Sequence, residues 1–199
     1  MCGRYYIDDE VSRAIEKLVR EIDETYAKGL AARDIHPSEA APILTAGAGN
    51  EGLRVQTCVW GFPGFDKNKV IFNARSETAL EKKMFSSSVL SRRCVIPARR
   101  FYEWDRSKNK ATFVRDDSPV IYMAGFYDFR DGENRFVILT TGANASMAPV
   151  HDRMPLILEP DRLEDWVRNP ESTRTFLESV PMELKKEYEF YQEQFPFLS

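Results

Sequence analysis

With 199 residues, 43% of them hydrophobic, the chain is long and apolar enough for one domain with its own core, which excludes the disordered class. A net charge of −3 argues against a protein that coats nucleic acid indiscriminately, and no stretch approaches the roughly 18 apolar residues of a membrane span. Three widely spaced cysteines and two histidines support neither a disulfide framework nor a zinc site, so no cofactor is expected and the compartment is read as reducing and cytoplasmic.

The chain starts Met1-Cys2-Gly3-Arg4. The small side chain after Met1 suits methionine aminopeptidase, and trimming would leave Cys2 with a free α-amine beside its thiol. Such a 1,2-aminothiol condenses with an aldehyde through its amine and closes through sulfur to a thiazolidine. The two groups titrate near pH ~8 and ~8.5, so either is reactive at cellular pH with modest help. With Met1 retained, the amine is an amide and Cys2 is one more small side chain of the kind usually buried.

From Asp9 to Ala27 the apolar positions Val11, Ala14, Ile15, Leu18, Val19, Ile22 and Tyr26 follow helical spacing and predict one amphipathic helix. Pro37 and Pro42, among polar neighbours, make Ala31 to Pro42 an extended connector. Ile43 to Thr45 and Leu53 to Trp60 read as strands, with residues 46–52 as their hairpin loop. Gly61, Pro63 and Gly64 then break the sheet; Trp60 is assigned to the core and Phe65 to a partly exposed position. Further strands are expected at Cys94–Ile96, Ala111–Arg115, Val120–Tyr127 and Phe136–Thr141, and helices after Pro160 and Pro170. Strands thus dominate the middle and helices the ends.

Charge is uneven along this chain. Between Lys82 and Arg115 ten Lys or Arg face only Glu103 and Asp105, a local +8 that leaves −11 for the remainder. Such a segment is either a nucleic-acid surface or a solvated charged face.

Three polar constellations stand out. Asn73-Ala74-Arg75-Ser76-Glu77-Thr78 follows apolar Val70-Ile71-Phe72; its amide and guanidinium suit an anion, and Ser76 or Asn73 could equally cap a helix running to Phe85. Phe101-Tyr102-Glu103-Trp104 places one carboxyl among aromatics, where desolvation would raise its pKa and make it a proton carrier; a surface strand with Glu103 outward is the alternative. His151-Asp152-Arg153-Met154-Pro155 follows the small residues 142–146, read as flexible, and carries an imidazole with Arg153 on the same side of an extended chain. His36 is read as structural.

Cys2-Gly3-Arg4, Trp60-Gly61, the stretch Asn73–Thr78, Arg93-Cys94-Val95-Ile96-Pro97, Phe101–Trp104 and His151–Pro155 occur in that order. Together they resemble the SOS-response-associated peptidase family over roughly the first 170 residues. The resemblance implies a single α+β domain over residues 1–199, built on a mostly antiparallel, barrel-like sheet flanked by helices, with a C-terminal helical extension. It also implies covalent capture of ring-opened abasic sites in single-stranded DNA by the mature N-terminal cysteine, with associated lyase activity and thiol autopeptidase removal of Met1. In that scheme Cys2 is the nucleophile, Asn73 positions the reacting end, Glu103 holds the α-amine and moves protons, and His151 assists sugar opening. Arg4, Arg75 and Arg153 would meet phosphates, with Lys83 and Thr140 contributing, and Phe65 would stack on a base. Such contacts bind DNA without reading sequence. The partner is abasic single-stranded DNA, with no membrane, and the protein is expected to be a monomer. Arg99-Arg100 departs from the acidic or small residue and glycine usual in relatives, and Phe65 from tryptophan. Two other classes remain open on the residues alone: an N-terminal-nucleophile hydrolase acting on an amide, and a DNA-binding module in which Cys2 is merely buried.

Overall fold

The computed structural model describes residues 2–26, 30–49, 52–64, 66 and 69–189. In chain order the elements are β1 (Tyr5–Ile7), α1 (Asp9–Leu18), β2 (Val19–Ile22), β3 (Arg33–Ile35), β4 (Ala40–Ala46), β5 (Leu53–Trp60), β6 (Phe62–Pro63), β7 (Val70–Ile71) and β8 (Asn73–Arg75). There follow α2 (Ser86–Ser91), β9 (Arg93–Ala98), β10 (Arg100–Trp104), β11 (Lys110–Val114), β12 (Ile121–Arg130) and β13 (Glu133–Gly142). The last are β14 (Arg153–Pro155), β15 (Ile157–Leu158), α3 (Leu163–Arg168), α4 (Thr173–Leu177) and β16 (Lys185–Glu189).

Five of these strands close a barrel. β5, β4, β9, β12 and β13 pair antiparallel in that order, and β13 returns to β5 in parallel through Arg135 opposite Val59 and Phe136 opposite Trp60. Closure removes the two open edges that a sheet of this size would otherwise expose. β8 and β14 line the two sides of β13, in parallel and antiparallel respectively. A second, antiparallel sheet runs β16-β11-β10-β1-β3. The fold is α+β, mostly strand with short helices, as the family resemblance implied.

Trp60 joins the two sheets. Its ring, fully buried, lies 5.1 Å from Tyr5 of β1, stacks on Phe136 at 6.2 Å and donates its indole N–H to the Phe72 carbonyl at 2.9 Å. Gly61 then turns the chain with φ of +110°, a region costly for any other residue, and its amide reaches the Phe136 carbonyl at 2.7 Å. An added Cβ would stand 2.2 Å from Val70 Cγ1. We therefore expect Gly61→Ala to lower the unfolding free energy by about 2 kcal/mol, read as a shifted urea midpoint at unchanged slope; an unshifted midpoint would show that β6 and β7 are not held against this turn.

The predicted strands of the middle are present. Three expectations are corrected. The first helix ends at Leu18, after Asp8 has capped it through the Glu10 and Val11 amides; Val19 to Ile22 leave as a strand parallel to β5. Helical spacing persists there by chance while β-branched Val19 and Ile22 take up sheet pairing. Ala27 lies outside the described residues. The connector Ala31 to Pro42 is instead largely β3 and the start of β4, because Asp34 and Ile35 pair with Tyr6 and Tyr5. The ends of the chain are not simply helical: β1 is central in the second sheet, and beyond residue 170 α4 is followed by β16, whose Lys185–Glu189 pairs along the whole of β11.

Candidate active site

β1 and β10 run antiparallel, Tyr5 opposite Phe101, and the Tyr102 amide bonds the Arg4 carbonyl at 3.1 Å. This lays the segment leading from Cys2 alongside the strand that carries Glu103. Alternation along β10 puts Glu103 on the inward side with Phe101 and leaves Trp104 outward, and Glu103 is 5% exposed against 39% for Trp104. The carboxyl is therefore inside the protein, and the alternative of a surface strand with Glu103 outward does not hold.

Cys2 is itself 1% exposed. The Asn73 side chain donates from Nδ2 to the Cys2 carbonyl at 2.8 Å, and the Cys2 Sγ lies 3.8 Å from the Arg4 carbonyl, which its S–H faces. β8 delivers Asn73, because Asn73 stands opposite Ile138 in the parallel pairing with β13. Asn73 Oδ1 is buried without a hydrogen-bond donor among the described residues. Burial, and after it the Glu103 charge, pushes the Cys2 thiol up to about 12, so it is a neutral S–H at physiological pH. The half-buried Asn73 thus holds the buried Cys2, and the buried Glu103 carboxyl acts electrostatically on the Cys2 thiol.

His151 comes from a tied loop. Asn144 accepts the Ser146 and Met147 amides at 3.1 and 3.3 Å, and donates to the Pro181 and Met182 carbonyls at 3.1 and 2.8 Å, so the stretch read as flexible is pinned on both sides. His151 Nδ1 accepts the Arg153 amide at 2.9 Å, which leaves the proton of the neutral ring on Nε2, and Asp152 Oδ1 stands 2.8 Å from the same Nδ1. The ring lines an open cavity of about 650 Å³ together with Trp104 and Arg106, one residue along β10 from Glu103.

A second cavity of about 650 Å³ has Asn73 on its wall with Arg75, Lys82 and Lys83. Arg75 is exposed, and its place opposite Thr140 puts it beside β13. Thr140 is fully buried, so its contribution is indirect: Arg153 Nη2 donates to its carbonyl at 2.6 Å. Arg4 donates to Asp34 Oδ2 from Nε at 2.8 Å and lies over the Tyr102 ring at 5.3 Å. Phe65 lies outside the described residues. The spacing of single residues could not reveal Asp34 as the partner of Arg4 or Glu77 as that of Arg153, since each is met from a distant segment; Lys82 stands in the sequence as the first residue of the basic segment.

Much of the basic segment is used internally. Arg93 is buried against carbonyls, Arg115 pairs with Asp117 and Glu159, Arg92 with Asp128, and Arg100 donates to the Tyr102 hydroxyl at 3.0 Å. Arg99 and Arg100 have ordinary negative-φ backbone, the Arg99 amide bonding the Tyr6 carbonyl at 2.8 Å, so the departure from the usual pattern leaves β10 in place. Among the described residues no three His, Cys, Asp or Glu side chains gather as a metal site needs.

A closed strand barrel whose attached strand β8 holds a buried cysteine through an amide, beside a second sheet that carries a buried carboxyl, defines a cysteine-centred α+β protein. Residues 1–193 match the family described as SOS response associated peptidase (SRAP), and the chain belongs to it. It is similar to abasic site processing protein YoaM of Bacillus subtilis, 30% identical across 90% of this chain and 85% of that protein. Abasic site processing protein YoqW of the same species is 34% identical across 87% and 82%, and abasic site processing protein YedK of Escherichia coli 28% across 84% and 80%. A crystal structure from Bordetella bronchiseptica superposes with a TM-score of 0.76 at 24% identity, over 95% of this chain and all of that one, and one from Bacteroides thetaiotaomicron with 0.75 at 22%, over 96% and 93%. These two show the fold.

The thiols set a pH limit on stability. Burial pushes Cys58 up to about 12 as it does Cys2, and Cys94 well above its ordinary value. Unfolded thiols ionise near ~8.5, so above that pH the unfolded chain sheds protons that the folded chain keeps, and stability falls until the folded thiols ionise in turn. The expected loss is about 1 kcal/mol per thiol at pH 9.5. Urea titrations at pH 7.5 and 9.5 measure it; Cys58→Val should remove its share of the decline, and an unchanged decline would exclude Cys58 as a source.

Proposed function

We propose that this protein processes abasic sites in single-stranded DNA by covalent capture, with Cys2 as the first residue of the mature chain. The observation that carries the reading is the cluster in which Asn73 Nδ2 holds the Cys2 carbonyl at 2.8 Å while the Glu103 carboxyl is buried close enough to act on the Cys2 thiol. The names of the relatives, abasic site processing proteins, support abasic sites as the substrate.

In the proposed sequence, Met1 is removed and the Cys2 α-amine attacks C1′ of the ring-opened sugar. Loss of one water gives an imine. The thiol then adds across that C=N bond: a C–S bond forms, and the thiol proton passes by way of Glu103 to the nitrogen, closing a thiazolidine. A neutral buried thiol suits this order, since the amine must react first and the sulfur must wait. Asn73 fixes the backbone of the nucleophile, its open Oδ1 offering a hydrogen-bond acceptor to the incoming sugar. His151, with its proton on Nε2, assists ring opening from the adjoining cavity. Arg4, Arg75, Lys83 and Arg153 meet phosphates, which gives affinity without sequence preference.

The test is to incubate the purified protein with an abasic oligonucleotide and measure intact mass. The expected product survives denaturation without borohydride and weighs the protein without Met1, plus DNA, less one water. A product retaining Met1, or none, overturns the reading; turnover of a peptide amide in its place supports the hydrolase class. We expect Glu103→Gln to slow adduct formation by about 10²-fold with little change in strand binding, because only proton transfer is lost. Equal single-turnover rates would remove Glu103 from the mechanism.

A further inference from the structure

Glu77 is the only acid in the stretch Asn73–Thr78, and no step above gives it a role. It stands in the 3-10 turn Ser76–Thr78 directly after β8, where its carboxylate takes both prongs of Arg153: Oε1 from Nη1 at 2.5 Å and Oε2 from Nη2 at 2.8 Å. Arg153 is also held from behind by the Thr140 carbonyl at 2.6 Å, and its side chain is 13% exposed while that of Glu77 is 49% exposed. The replaceable half of the pair is the carboxylate. Arg75, exposed two residues earlier, also acts on that carboxylate and makes no ion pair among the described residues. The hydrogen bond from Arg153 holds the Glu77 carboxyl below its usual range, so it is charged at neutral pH.

A carboxylate and the two non-bridging oxygens of a phosphodiester offer a guanidinium the same forked acceptor. We infer that Glu77 is a built-in phosphate mimic, which occupies and orients the Arg153 fork in the DNA-free protein and gives way to a backbone phosphate when a strand binds. The inference rests on the reading of Arg153 as a phosphate contact. It makes binding an exchange: the phosphate releases its counterion, but the displaced carboxylate takes one up. Part of the affinity and of the salt dependence expected from Arg153 is thereby cancelled, which would keep the protein from holding undamaged strands tightly.

The experiment uses fluorescence anisotropy with a labelled single strand that contains no abasic site, so that covalent chemistry plays no part, over a salt series. Glu77→Gln keeps an oxygen acceptor for Arg153 but carries no charge. It should bind about tenfold tighter at low salt, with a log–log salt slope steeper by about 0.7, the value of one phosphate contact on a single strand. In an Arg153→Gln background the same substitution should gain much less, because the fork it frees is gone. Equal or weaker binding by Glu77→Gln overturns the inference, as does an undiminished gain in the Arg153→Gln background, which would mark a diffuse charge effect. If the wild type binds no strand at all, the phosphate reading falls together with this one. If it binds and Glu77→Gln changes nothing, this one falls alone.

Discussion

Cys2→Ala is expected to abolish the borohydride-independent adduct with abasic DNA, a rate loss of at least about a thousandfold. The variant keeps the small residue after Met1 that methionine aminopeptidase accepts, so by that route the α-amine is still freed and an imine still forms. That imine has no thiol to trap it and hydrolyses on denaturation. Borohydride should therefore rescue a crosslink in Cys2→Ala that the wild type forms unaided, which separates loss of the second step from loss of the first. Replacing a buried thiol by a methyl group in this cluster costs about 1 kcal/mol of stability, too little to unfold the protein. Strand affinity should be preserved, since the phosphate contacts proposed above are Arg4, Arg75, Lys83 and Arg153. An unaided adduct of wild-type yield from Cys2→Ala would sink the capture mechanism outright.

Arg93→Met is expected to be the most destabilising of the substitutions considered, at about 3–5 kcal/mol. Arg93 starts β9 with 3% of its surface exposed, and its guanidinium donates to the Trp166 and Leu90 carbonyls, to Val89 at 3.1 Å and to Val167 at 3.5 Å, with its carbon 5.7 Å over the Trp166 ring. These carbonyls belong to the last turns of α2 and α3, so one positive side chain caps two helix ends, and it meets the negative end of both dipoles. Methionine fills much of the volume but leaves the carbonyls without donors. Lysine retains the charge and too few donors to serve both ends, so Arg93→Lys should lose roughly half as much. Urea unfolding of the three proteins measures this; a loss below about 1 kcal/mol for Arg93→Met would show that water takes over the carbonyls.

These two residues illustrate what sequence reading reaches. The strands of the middle were legible because runs such as Val120–Tyr127 and Phe136–Thr141 are β-branched and aromatic and are bounded by turn residues. Cys2, Glu103 and His151 were marked by the ordered family motifs around them, the residues alone leaving a buried cysteine and an outward glutamate open. Arg93 looked like a surface cation among ten, and its burial depends on two helix ends that converge from residues 89–90 and 166–167. The first helix was overextended because Val19, Ile22 and Tyr26 keep helical spacing, whereas the parallel pairing of Val19–Ile22 with β5 makes that stretch a strand.

By itself the sequence determined the strands of the middle and the ordered motifs that mark the family, and through that family the α+β class, since the strands and motifs follow from side-chain type and near-neighbour spacing. The tertiary structure alone decided that Glu103 turns inward, that Thr140 is hidden, and that Arg4 and Arg153 are met by Asp34 and Glu77. The reason is register: which residues oppose one another across β1, β3, β8, β10, β13 and β14 is set by the closure of the barrel and the pairing of the side sheet, contacts between segments 11 to 96 residues apart that no local pattern encodes.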